Sequence, residues 1–273
     1  MNWRAVWAIV RKDLKTVRQN RMIFLPMLLV PLLFLVVMPA GAVLLASNGD
    51  AIADFQQEAA MFFANLPPGI QTELDRFTTE PQRFTYLMAG YLFAPLFLIV
   101  PLMVSTTLGA DSFAGEKERK TMEALLYTPL TDFEMYVGKL LAALIPSVLV
   151  CLIGGLAYAV VVNLAAWNTM GGIFFPNLMW IALIVWLAPA AAGLGLAAII
   201  FFSARAKTVQ EAYQIGGMVV LPIILLVVGQ MAGLLYLSLE FVLLAGLIVW
   251  LIDIGLLWLG ARTFQRSELI ARL

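Results

Sequence analysis

The sequence contains no histidine. That absence excludes imidazole acid–base catalysis, Ser-His triads and imidazole metal ligation together. Its one cysteine, Cys151, cannot close an intramolecular disulfide, so thiols say nothing about redox compartment. No G-x-x-x-x-G-K-[ST] run occurs, and without that phosphate cradle the chain is not expected to hydrolyse ATP by itself. Charge is also scarce. Only 12% of the 273 residues are Asp, Glu, Lys or Arg, where a soluble domain carries roughly a quarter. Hydrophobic residues make up 62% and mean hydropathy is +0.93. So little polar surface cannot cover a water-facing globule, so lipid is the solvent for most of the chain. No catalytic residue, no metal ligand set and no nucleic-acid partner is expected.

What is present is a series of long apolar runs. A helix rises 1.5 Å per residue and the hydrocarbon core is about 30 Å thick, so about 20 apolar residues cross it. Uncharged windows cover Met22–Gly49, Phe84–Ala110, Leu140–Ala204 and Ala212–Leu239. The third is roughly three membranes long as one helix and must fold back. Turn chemistry clusters in its middle, where Asn163 to Asn177 include Asn168, Gly171, Gly172 and Pro176. The fold class expected is an all-α integral membrane protein with spans over 22–47, 84–110, 138–164, 178–203, 212–238 and 241–261. The first run exceeds the 7–15 apolar residues of a signal peptide and reads as a retained span; cleavage among the small residues Ala42–Ser47 is the alternative.

Of the seventeen basic residues, only Arg76 and Arg83 fall between the first two spans. The rest lie before span one, between two and three, between four and five, or after span six. By the positive-inside rule that face is cytoplasmic, with both termini on it, and the membrane expected is the inner (plasma) membrane. The external connection over 50–83 is acidic; its first half reads as an amphipathic helix and the whole as a solvated connector, with a substrate gate as the alternative.

Two segments outside the spans carry more information. Over residues 1–20, Trp3, Val6, Trp7, Val10, Leu14 and Val17 recur at helical spacing with basic residues on the other faces. Such a helix lies in the lipid interface. The stretch 111–137 predicts a short helix from Glu116 to Tyr127, ended by Pro129, then a capping box at Thr131-x-x-Glu134 that starts the third span. Over Asp111–Lys139 six acids oppose four bases. A lipid-gripping loop would be polybasic, so a protein surface is the expected contact.

The run Gly115-Glu116-Lys117-Glu118-Arg119-Lys120-Thr121-Met122-Glu123-Ala124-Leu125-Leu126, then Thr128-Pro129-Leu130 and Gly138-Lys139, resembles the hallmark loop of ABC transporter type-2 permeases. The basic first helix, the six spans and Arg205-x-Lys207-Thr208 between spans four and five extend the resemblance over nearly the whole chain. The sodium-extrusion and multidrug branches are the most similar. Lys120 departs from the pattern, which often has glycine before the threonine. The resemblance implies that 111–137 is a coupling loop seated on a separate ATP-binding subunit, which would hold ATP and Mg. It also implies a second permease subunit, as homodimer or heterodimer. Glu116, Glu118, Arg119, Thr121, Glu123, Arg205 and Lys207 are the contact positions implied.

Apart from Lys139 at the very start of the third, Asp253 is the one charge inside a span and a candidate intramembrane polar site. The expectation is a structural pairing with a hydroxyl or basic side chain, the alternative a cation or substrate site. Two other function classes fit the sequence less well. A secondary transporter would show buried ionisable groups in several helices, and an intramembrane protease a nucleophile–base or two-acid pair; one aspartate argues against both.

Overall fold

The computed structural model describes residues 1–46, 66–119, 129–203, 208–232 and 234–263, and every regular element among them is helical. We number the helices α1 (Trp3–Gln19), α2 (Arg21–Ala46), α3 (Pro68–Leu74), α4 (Glu80–Gly115), α5 (Asp132–Ala165), α6 (Leu178–Phe201), α7 (Gln210–Met231) and α8 (Leu239–Arg262). All except α1 and α3 are long and apolar enough to cross a membrane, which makes the chain a multi-pass membrane protein. The acidic stretch before residue 66, with its expected helix, lies outside the described residues.

The bundle has a centre and a rim. In α4 and α6, 72% of the apolar stretch is buried, against 17–28% in the other four spans. These two helices pack along each other more extensively than any other pair. Small residues permit it: a Cβ added to Gly195 of α6 would lie 2.8 Å from Ser105 Oγ and 2.9 Å from Thr106 of α4. At Gly216 of α7 an added Cβ would collide with Ile199 of α6, whereas Gly217 has nothing within 4 Å, so of these two adjacent glycines only Gly216 serves close packing. The rim helices turn leucine, isoleucine and valine outward, among them Leu28, Leu29, Leu32, Leu225, Leu247 and Leu251. Lipid is as apolar as these side chains, so their exposure carries no hydrophobic cost.

The two ends of the bundle differ. Lys12, Arg119 and Lys139 gather at one, the basic end, while α4 begins at the other with Arg83 beside Glu80 at 3.7 Å. At 36 and 34 residues, α4 and α5 are about 54 and 51 Å long, so they project beyond a hydrocarbon core. The turn between α5 and α6 forms where the sequence places it. Gly171 takes a φ of 69°, and the Asn163 side chain accepts from Phe174 N–H at 3.0 Å and donates to Phe175 O at 2.7 Å.

Away from the basic end, α4 loosens into a π-helical turn at Met88–Leu92. Phe93 N–H bonds back to Met88 O, and Pro95 has no N–H to offer Tyr91. Three successive carbonyls are then taken by side chains from three other helices. Tyr158 hydroxyl donates to Ala89 O at 2.7 Å, Trp180 indole to Gly90 O at 2.6 Å, and Gln230 amide to Tyr91 O at 2.6 Å. With no water in the hydrocarbon to satisfy them, those carbonyls need protein donors. They fix α5, α6 and α7 around α4. Just outside, Tyr86 and Tyr91 hydroxyls both donate to Glu73, at 2.6 and 2.7 Å, and fasten α3 over the same end.

Candidate functional site

The charged residues of the basic end form one connected cluster where α1, α4 and α5 meet. Asn2 caps α1 with its side chain, and its backbone N–H donates to Glu134 Oε1 at 2.6 Å. Glu134 is also the acid of the capping box with Thr131 that begins α5. The start of α1 is thereby tied to the start of α5. At the other end of α1, Asn20 turns the chain and caps α2.

Between those ends α1 lies on α5 through Val6, Ile9, Val10 and Val17, while Trp3 and Trp7 face outward. A Cβ on Gly138 would come within 3.0 Å of Ile9, so glycine is what allows this contact. The next residue, Lys139, is completely buried.

The helix of α4 does not stop at Gly115; it passes through a π-helical turn at Asp111–Gly115 and continues to Glu118. The expected separate short helix therefore starts as an extension of the span. This extension places Glu116 inside the α1–α4–α5 junction, 2% exposed, where its carboxylate forms ion pairs with both Lys12 and Lys139. Lys139 also donates to Ser112 O at 2.6 Å and lies 5.4 Å from the centre of the Phe113 ring. Ser112 hydroxyl donates to the buried Asp13 at 2.7 Å, and Lys12 is 3.2 Å from Asp13. Arg119 closes the cluster on Asp111 at 2.7 Å.

Three cations thus meet three acids, leaving the cluster neutral. Burial works against the Lys12 ammonium, yet Glu116 and Asp13 outweigh it and its pKa lies above the ordinary lysine value. The hydrogen bond that Arg119 donates to Asp111 raises the Arg119 pKa in the same way, with burial opposing. Lys12 and Arg119 are thus both held in their charged forms by the acids beside them. Desolvation means that such a cluster need not stabilise the fold more than an apolar one would, but removing one member strands its partners. The cluster is therefore a rigid joint. A cavity of about 110 Å³ between Lys12, Thr16, Asp111, Glu116 and Arg119 opens it to the outside.

The expected contact residues are divided by this arrangement. Glu116, one of the contact positions that the resemblance implies, is buried because the helix carries it back between α1 and α5. Glu118 and Arg119, one turn on, are exposed. Thr121, Glu123, Arg205 and Lys207 lie outside the described residues. Sequence reasoning missed Lys12 and Lys139 as partners of Glu116, and Asp13 and Ser112 as the groups that extend the cluster. One signal was available: Asp13 is the only acid in an otherwise basic helix.

Asp253 of α8 is not a member of this joint and is completely buried. It faces Gly193 of α6, where an added Cβ would overlap its carboxylate. Neither oxygen has a hydrogen-bond partner, so the expected pairing with a hydroxyl or base is not found among the described residues. No group of three or more Cys, Asp or Glu able to hold a metal ion occurs among them.

A family model described as ABC-2 family transporter protein matches residues 7–268. No curated protein matches the chain.

Proposed function

We propose, since the chain belongs to the ABC-2 family of transporter proteins, that it is the membrane-spanning permease subunit of an ATP-driven exporter. A separate ATP-binding subunit supplies hydrolysis, holding ATP and Mg; this chain supplies the pathway and the surface that receives the stroke. The basic end is cytoplasmic, following the distribution of Lys and Arg, and two permease subunits share the assembly.

The observation that carries the reading is the position of Glu116. Residues 116–119 lead directly into the 120–128 segment, and Glu116 is ion-paired to both α1 and α5. A partner seated on this loop does not push on a solvated linker. Through Glu116 it moves the interfacial helix and two spans as one body. Glu118 and Arg119 at the exposed edge are the first described residues that such a partner would meet.

Affinity isolation of the chain from its native membranes tests the reading. The expected companion is a protein carrying a P-loop, in stoichiometric amount, and mass spectrometry of co-isolated small molecules would identify the cargo class. Recovery of the chain as a folded oligomer without any ATP-binding protein would argue for a transporter driven by something other than ATP.

A further inference from the structure

The α6–α8 contact contains a group for which the coupling mechanism has no use. Asp253 lies nine residues before Arg262 at the end of α8, about 13 Å along the helix axis and within hydrocarbon depth. Its neighbours Ile252 and Ile254 face outward, while Asp253 is completely buried on the inner side. The side chain sits where α6 has only the hydrogen of Gly193, and any larger residue there would collide with it. Both carboxyl oxygens lack a hydrogen-bond partner among the described residues.

Among the described residues none supplies it a counter-ion. Along Leu178–Ser203, α6 has no ionisable side chain. Within α8 the other ionisable residues are Glu240 and Arg262, at its two ends, and Arg262 lies over the Trp258 ring, 3.6 Å from its centre. From α5, Tyr136 reaches α8, where its hydroxyl donates to Leu257 O at 2.9 Å, one turn towards the basic end. An ionised carboxylate with neither cation nor donor in an apolar interior is far costlier than the neutral acid. A span keeps such a residue when some other arrangement of the helices uses it.

We propose that Asp253 is a proton-binding site: in this packing it holds a proton as the neutral acid, and parting of α6 from α8 opens it to water and releases that proton. On release the O–H bond breaks heterolytically, the electron pair stays on the carboxylate, and the proton passes to water. Gly193 sets the threshold, because its missing side chain is what lets the two helices close over the acid. The inference does not depend on an ATP-binding partner.

Infrared spectra of the full chain in lipid vesicles at neutral pH test it. Wild type should show the carbonyl stretch of a protonated carboxyl, sensitive to deuterium exchange, and Asp253→Asn should lack it while eluting as a folded oligomer. Gly193→Val wedges the helices apart and should lose the band at neutral pH and regain it on acidification; Gly193→Ala, milder, should move the same way if valine is not tolerated. Spectra in which wild type and Asp253→Asn do not differ in this band would overturn the site. A band that titrates in the Gly193 variants as in wild type would overturn its release by helix separation.

Discussion

Lys139, the first charge in α5 after its opening turns, is completely buried, and its ammonium meets the carboxylate of Glu116 at the extended end of α4. The pair joins two helices that the sequence separates by a connecting loop, and Lys12 brings α1 into the same contact.

Breaking that pair from one side should cost stability. Lys139→Met leaves the buried Glu116 carboxylate with Lys12 alone; full stranding of a buried charge costs about 3–5 kcal/mol, so a loss of up to about 3 kcal/mol is expected while Lys12 remains. A thermal melt of the detergent-solubilised chain should show a large drop, and the double variant Lys139→Met with Glu116→Gln should recover most of it. Equal melting temperatures for the single and double variants would mean that the pair is not coupled.

Glu118→Lys should behave differently. The side chain is exposed at the edge of the joint, and such surface changes usually stay within about 0.5 kcal/mol. The variant should melt as wild type does but retain less ATP-binding subunit on isolation, since like charges across a desolvated contact cost several kcal/mol. Arg119→Glu should fail on both counts, because it also faces the buried Asp111 that Arg119 now neutralises.

Much of this was legible in the sequence, for physical reasons that can be named. Span number and the capping box at Thr131 follow from hydropathy and local hydrogen bonding, which act over a few residues. The burial of Glu116 was not legible. A stretch as polar as Glu116–Lys120 reads as solvated, and only the three-dimensional junction shows that Lys12 and Lys139, from distant parts of the chain, converge on it. The carbonyl relay at Ala89, Gly90 and Tyr91 was equally hidden, because Tyr158, Trp180 and Gln230 look like ordinary members of apolar spans.

That relay makes its own prediction. Tyr158→Phe keeps the ring in its stack with Trp180, whose centre is 4.5 Å away, and removes only the hydroxyl. Ala89 O is then buried without its donor, and a loss of about 1–3 kcal/mol is expected. A melt unchanged from wild type would show that the π-helical turn can close on itself.

Topology can be read by single-cysteine labelling after Cys151, which is buried, is replaced by alanine. Thr78→Cys, exposed near the start of α4, should react in intact cells with a membrane-impermeant maleimide. Lys15→Cys on α1 should react only after permeabilisation. The reverse pattern would invert the orientation.

The central claim is that this chain turns another subunit's ATP hydrolysis into movement of its own spans through the Glu116 joint. The direct measurement is ATP turnover in proteoliposomes, for the chain alone and for the complex with its ATP-binding subunit. The prediction is no turnover by the chain alone, robust turnover by the complex, and a clear loss with Glu118→Lys at unchanged stability. Turnover by the chain alone at transporter rates, or a complex whose hydrolysis is indifferent to Glu118→Lys and Arg119→Glu alike, would contradict it.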